Sequence, residues 1–168
     1  MIQIFCSNKL SSLFGVKNLD TNVSKLENGW SAHLFPVGGR KCIIFVDKLT
    51  LYSIVIIDIL KKDTVQIRKI FQNELITQLH ADNLLNIGDE NSIIKLTETI
   101  VICPTDNDRK TMGSLNDFVY HVKASYEDTQ SLDRVRTFVR KYLNEMPSKM
   151  LRFKTPKEVM KDQIKNYA

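Results

Sequence analysis

Apolar residues recur along this chain at two periods, and the periods divide it into strands and helices. Trp30 to Pro36 and Arg40 to Val46 are extended runs on either side of Gly38-Gly39, and the polar turn Asp47 to Thr50 precedes a third, β-branched run, Leu51 to Ile57. A glycine pair between two such runs supplies the positive φ angles that a tight hairpin needs. The three runs predict an antiparallel meander. Cys42 to Val46 and Ile54 to Ile57 are apolar at both strand parities, so both faces are expected to be covered and these strands to lie in the middle of a sheet. Met1 to Phe5 reads as a first strand and Thr99 to Cys103 as a fifth, with their places in the sheet left open.

Elsewhere the spacing is helical. Ser7 is placed to cap a short helix through Leu10 and Leu13, which Gly15 ends, and Val16 to Gly29 reads as a connecting loop with a helical turn near Val23 to Leu26. Asp63 or Thr64 is expected to cap a helix whose inner residues are Val65, Ile67, Ile70, Phe71, Leu75, Ile76 and Leu79. Leu84 to Ile87 reads as a short helical turn closed by Gly88. Two more helices follow, one carrying Met112, Leu115, Phe118, Val119 and Val122, the other Leu132, Val135, Phe138, Val139, Tyr142 and Leu143. In the last, Thr155-Pro156-Lys157-Glu158 is a capping box with proline at the first helical position, and Val159, Met160, Gln163 and Ile164 face inward. The fold class is α+β: an antiparallel sheet centred on a three-strand meander and packed with four to five helices. One domain over residues 1–168 is expected, with a helical C-terminal part at 131–168.

Composition narrows the class without naming a function. Among 168 residues, 43% are hydrophobic and 26% charged, enough apolar surface for a real core, which argues against general disorder. No apolar run approaches the roughly 18 to 20 residues of a bilayer span, and Met1 to Phe5 gives way at once to polar residues rather than to an export signal. A cytoplasmic protein with no membrane partner is expected. Cys6, Cys42 and Cys103 are odd in number and far apart, so buried free thiols are expected rather than disulfides or a zinc site. His80 and His121 lack a second ligand at helical spacing, and no cofactor motif occurs, so neither a metal nor a cofactor is expected.

Charge changes the picture more. The formal net charge is +5, yet residues 134–165 alone hold ten basic and three acidic side chains, a net +7. Arg136 and Arg140 fall on one flank of their helix's apolar stripe, and Arg134 and Lys141 on the other. Lys157, Lys161 and Lys165 repeat every four residues along one ridge, where like charges oppose the helix by a few tenths of a kcal/mol per pair, about 0.2 to 0.5. These seven residues are the candidate contacts to a nucleic acid or an acidic protein; a solvated helical surface is the plainer reading. The remaining candidate chemistry lies on the hairpin. With Gly38 and Gly39 as the loop, His33 faces Ile44, Phe35 faces Cys42, and His33, Arg40 and Cys42 share one face. A Cys/His pair with Arg40 beside it could act on an anionic substrate, whereas their apolar neighbours Phe35, Val37, Ile44 and Val46 favour a packing role.

The segment Arg40-Lys41-Cys42-Ile43-Ile44-Phe45-Val46-Asp47, with Thr50, Tyr52 and Ser53 after it, resembles an uncharacterised family of small bacterial proteins of unknown function. Trp30 to Phe35, Gly113-Ser114-Leu115-Asn116-Asp117, and Leu143-Asn144 with Pro147 extend the resemblance over most of the chain, and it implies one compact domain. Pro147-Ser148-Lys149 through Lys154-Thr155-Pro156-Lys157-Glu158 is similar to the end of integrase-type transposase domains, with Arg152-Phe153 where a Gly-Tyr pair is usual. The spaced Asp, Asp and Glu of those enzymes are missing upstream, so the likeness is read as a shared helix start. The leading functional expectation is a non-catalytic module that binds a protein or nucleic acid through its basic C-terminal helices. A small enzyme built on His33, Arg40 and Cys42, or a regulatory subunit needing an oligomeric partner, is the alternative.

Overall fold

The computed structural model describes residues 1–15 and 29–165. The expected turn near Val23 to Leu26 lies outside them. The elements are β1 (Ile2–Cys6), α1 (Asn8–Phe14), β2 (Gly29–Val37), β3 (Arg40–Asp47), β4 (Ser53–Ile56), α2 (Ile67–Ala81), α3 (Glu90–Thr97), β5 (Ile100–Cys103), α4 (Arg109–Thr129), α5 (Leu132–Phe138) and α6 (Pro156–Lys165). A 3₁₀ turn, Lys61–Gln66, leads into α2, and a π-helical turn, Val139–Leu143, prolongs α5. No helix among the described residues is long and apolar enough to cross a membrane.

The five strands form one sheet in the order β4-β3-β2-β1-β5. The meander is present in the expected register, with Val37 opposite Arg40, Phe35 opposite Cys42 and His33 opposite Ile44. Both turn glycines have positive φ, 55° and 73°, and a Cβ on Gly38 would collide with the Tyr126 hydroxyl of α4. Two expectations change. The sheet is mixed rather than antiparallel, because β1 runs parallel to β2 on one side and β5 on the other. Parallel neighbours need long crossovers, which the stretch containing α1 and that containing α2 and α3 supply. The meander therefore fills one side of the sheet, and β4 is an edge strand instead of a central one.

Helices cover both faces, which explains why strands apolar at both parities are tolerated. Ile43, Phe45, Ile54 and Trp30 face a core shared with α1, α2, α3 and α6, where the Phe71 ring meets Phe45 at 5.0 Å and Trp30 at 5.1 Å. Cys42, Ile44, Val46 and Val55 face the second core, closed by Leu115 and Val122 of α4 and by Val135, Val139 and Leu143. The α6 capping box forms as expected: the Thr155 amide donates to Glu158 Oε2 at 2.7 Å, and the Glu158 amide to Thr155 Oγ1 at 3.1 Å. Ser7 precedes α1 without capping it through its side chain, and Val65, expected inside, is exposed on the 3₁₀ turn. Helix α3 follows Gly88 where only a turn before that glycine was expected.

Asp47 closes the β3–β4 turn from inside the protein. Its Oδ1 accepts from the Leu49 amide at 3.1 Å and from the Thr50 amide and hydroxyl, both at 2.8 Å. Burial outweighs these bonds and raises its carboxyl above the ordinary value. The folded state then holds this proton more tightly than the unfolded chain, so the contribution is most favourable below the usual carboxylate pKa, about 4, and is lost as pH rises through the raised value. Asp47→Asn keeps the acceptor and removes the ionisation. The variant should exceed wild type in urea stability at pH 8, with the gap closing as pH falls toward 4.5. A gap independent of pH would mean that Asp47 titrates normally.

Candidate functional site

The three hairpin candidates serve different surroundings although they share a strand face. Cys42 is fully buried among the second core's side chains, and burial is the main cause of its thiol's raised pKa. The Arg40 guanidinium turns to Asp58 at 3.0 Å in an exposed ion pair. His33 is half-buried, with burial first and then Lys9 and Lys123 lowering its pKa, and its Nδ1 has no hydrogen-bond partner among the described residues. A thiolate nucleophile needs exposure and a lowered pKa, and Cys42 has neither. Cys6 and Cys103 are also buried, and burial, aided by Cys103, pushes the Cys6 thiol up to about 12. A thiol reagent should therefore modify all three cysteines slowly until denaturant is added. Fast labelling of native Cys42, lost in His33→Ala, would instead restore the enzyme reading.

The seven basic candidates separate into engaged and free groups. On the α6 ridge, Lys157 Nζ lies 3.0 Å from Glu145 Oε1 and Lys165 Nζ 3.6 Å from Asp162 Oδ1, while Lys161 has no carboxylate at ion-pair distance among the described residues. On α5 and its π-helical extension the two flanks part as their spacing expects. Arg136 Nε lies 3.4 Å from Glu74 Oε1, an ion pair without hydrogen-bond geometry. Burial raises the Glu74 carboxyl, and the charges of Arg136 and Arg140 oppose that shift. Arg140 also offsets the charge of Asp82, which accepts a hydrogen bond from the Tyr52 hydroxyl. Arg136 and Arg140 thus face the acidic groups of α2 and the turn after it.

Arg134 and Lys141 face the other way. They line an open groove between α4 and α5 together with His121, Ser125 and Asp128 of α4 and Phe138 and Tyr142 beyond them. Neither cation has a carboxylate at ion-pair distance among the described residues. The Phe138 and Tyr142 rings stack with centroids 5.2 Å apart and planes 23° from parallel, and Tyr142, expected inside, is 59% exposed. Tyr120 stands beside His121 on α4, edge to face at 5.6 Å, and is exposed as well.

The π-helical turn lets one short segment serve both sides. Its longer hydrogen bond, from the Asn144 amide to the Val139 carbonyl at 3.3 Å, inserts an extra residue into the turn, a feature frequent at functional sites. Val139 and Leu143 stay in the core, Lys141 and Tyr142 remain outside, and Asn144 turns to β4. There its carboxamide forms two bonds to one residue: Ser53 N donates to Oδ1 and Nδ2 donates to Ser53 O, each 2.8 Å. Gln78 Nε2 adds a 2.7 Å bond to the same carbonyl. The buried outward N–H and C=O of Ser53 on the β4 edge are thereby paired by side chains, and the groove is fastened to the sheet.

Fold and groove together define an α+β domain with a mixed sheet and an open cationic, aromatic cleft in one helical layer. The chain belongs to the family described as Domain of unknown function (DUF6933), whose model matches residues 3–159 and so spans both the meander and the α4–α5 pair. No curated protein and no solved structure matches the chain.

Proposed function

We propose that this chain is a non-catalytic binding module that holds single-stranded nucleic acid along the α4–α5 groove. The observation that carries this reading is the exposed Tyr142 ring, stacked on Phe138, in a groove lined by Arg134 and Lys141, which lack carboxylate partners among the described residues. Cations that track phosphates beside rings that stack bases are the recurring parts of single-strand recognition. Stacking requires bases free of a duplex, which favours a single strand over a double helix. Asp128 lies on the α4 side of the groove and repels phosphate, so the backbone would follow α5. A reducing, cytoplasmic setting suits the three free cysteines.

The test is a salt series of fluorescence anisotropy with a short labelled single-stranded oligonucleotide. Arg134→Gln with Lys141→Gln should lower the slope of log affinity against log salt by about 1 to 2, since each lost phosphate contact on a single strand removes about 0.7. Tyr142→Ala should lower affinity about fivefold or more with the slope unchanged. Lys157→Gln with Lys165→Gln should change little, because both lysines are held by carboxylates. Absence of wild-type binding at low salt would refute the proposal.

A further inference from the structure

The turn between the π-helical segment and α6 presents an aromatic residue outward at a conformational cost. Arg152 and Phe153 are consecutive non-glycine residues with φ of 54° and 66°, left-handed backbone that a Cβ disfavours. Such strain persists only where its surroundings impose it, and it collects at binding sites. Here hydrogen bonds impose it: Ser148 N donates to Lys154 O at 3.0 Å, Phe153 N to Ser148 O at 2.8 Å, and Arg152 N to Lys149 O at 3.1 Å. Met150 and Leu151 anchor the turn against the second core. Phe153 is consequently 74% exposed, flanked by exposed Lys149, Arg152 and Lys154. Lys154 is 3.9 Å from Asp162, whereas Lys149 and Arg152 have no carboxylate at ion-pair distance among the described residues.

The turn shares a helix face with the groove. Ser114 Oγ donates to Met150 Sδ at 3.2 Å, and Ser114 precedes the groove residue His121 by seven positions. Seven residues are two turns of α4, so Met150, which anchors the turn, meets the same side of that helix about 10 Å from the groove. We infer that the tip is a second contact for the same single strand, with Phe153 stacking on a base beyond the groove and Arg152 and Lys149 holding its flanking phosphates. The inference rests on the groove reading and lengthens its footprint. An exposed ring between cations also suits an anionic lipid surface; the shared face with the groove favours nucleic acid.

The experiment measures anisotropy for labelled single strands of increasing length, with wild type, Phe153→Gly, Arg152→Gln and the Arg134→Gln, Lys141→Gln double variant. Glycine adopts the left-handed backbone freely, so Phe153→Gly should melt no lower than wild type, which separates binding from folding. It should bind the longest strands about fivefold more weakly or worse and the shortest ones unchanged. Arg152→Gln should reduce the salt slope for long strands by about 0.7. The double variant should weaken at every length. If it does so while Phe153→Gly matches wild type throughout, the tip inference is wrong and the groove reading stands. No wild-type binding at any length overturns both. Sedimentation with anionic phospholipid vesicles closes the remaining route: loss there in Phe153→Gly, with oligonucleotide binding intact, would overturn the inference in favour of a membrane surface.

Discussion

Phe45→Ala should lower unfolding stability by about 3 to 5 kcal/mol, a large part of what a domain of this size possesses. The ring is fully buried on β3, an interior strand paired on both sides, with Ala32 and Ile54 opposite it in register. It also packs against Phe71, which ties α2 to the sheet. Truncation removes apolar burial and leaves a cavity that two paired strands and a helix cannot close. Urea denaturation measures the loss; if the variant will not fold, Phe45→Leu should show a smaller deficit. A loss below about 1 kcal/mol for the alanine variant would show that this core is not close-packed around β3.

Asn144→Ala should cost about 2 to 3 kcal/mol although it deletes a small polar side chain. Ser53 N–H is buried and, among the described residues, donates to Asn144 Oδ1 alone, whereas Ser53 O also accepts from Gln78 Nε2. An orphaned buried donor bears its full desolvation penalty. Asn144→Asp sharpens the test, because at neutral pH it sets a carboxylate oxygen against the Ser53 carbonyl. Protonation restores a donor there, so this variant should regain stability relative to wild type as pH falls from 7 toward 5. If both variants unfold within about 0.5 kcal/mol of wild type at pH 7, the side chain is not the partner of the β4 edge.

The meander was legible because its signals agree: Gly38-Gly39 demands positive φ, and the flanking runs have strand composition. The α6 start was legible because the Thr155–Glu158 capping box is a local device. The sheet's mixed character was not, since β1 and β5 are short apolar runs whose partners depend on how distant crossovers return. Apolar strands at both parities implied two covered faces, correctly for β3 and β4 alike. For β4 the same pattern hid an edge, because Asn144 and Gln78 supply from distant helices the bonds that a neighbouring strand would give. Helix α3 was not legible although Ile93 and Leu96 repeat at helical spacing, because its eight residues bury only Ile93 and Thr97 and carry too short an apolar stripe.

The candidate site was legible in part. Helical geometry separated Arg134 and Lys141 from Arg136 and Arg140, and the structure turns the first pair to the groove and the second to Glu74 and Asp82. Tyr142 could not be recognised as a surface ring, since Tyr142 and Leu143 fit one apolar stripe equally well at ideal spacing. The π-helical turn separates them, and it follows from packing against β4. His121 carried no signal of its own before α5 was placed beside it.

The proposed single strand in the α4–α5 groove can be tested directly. At 19.4 kDa the protein is within reach of amide chemical-shift mapping during titration with a short unlabelled oligonucleotide. Saturable shifts at His121, Ser125, Phe138, Lys141 and Tyr142, weakened by salt and saturating only at about fivefold or more higher oligonucleotide in Tyr142→Ala, are the expected result. Shifts confined to α6, or none at any excess of oligonucleotide in low salt, would contradict it.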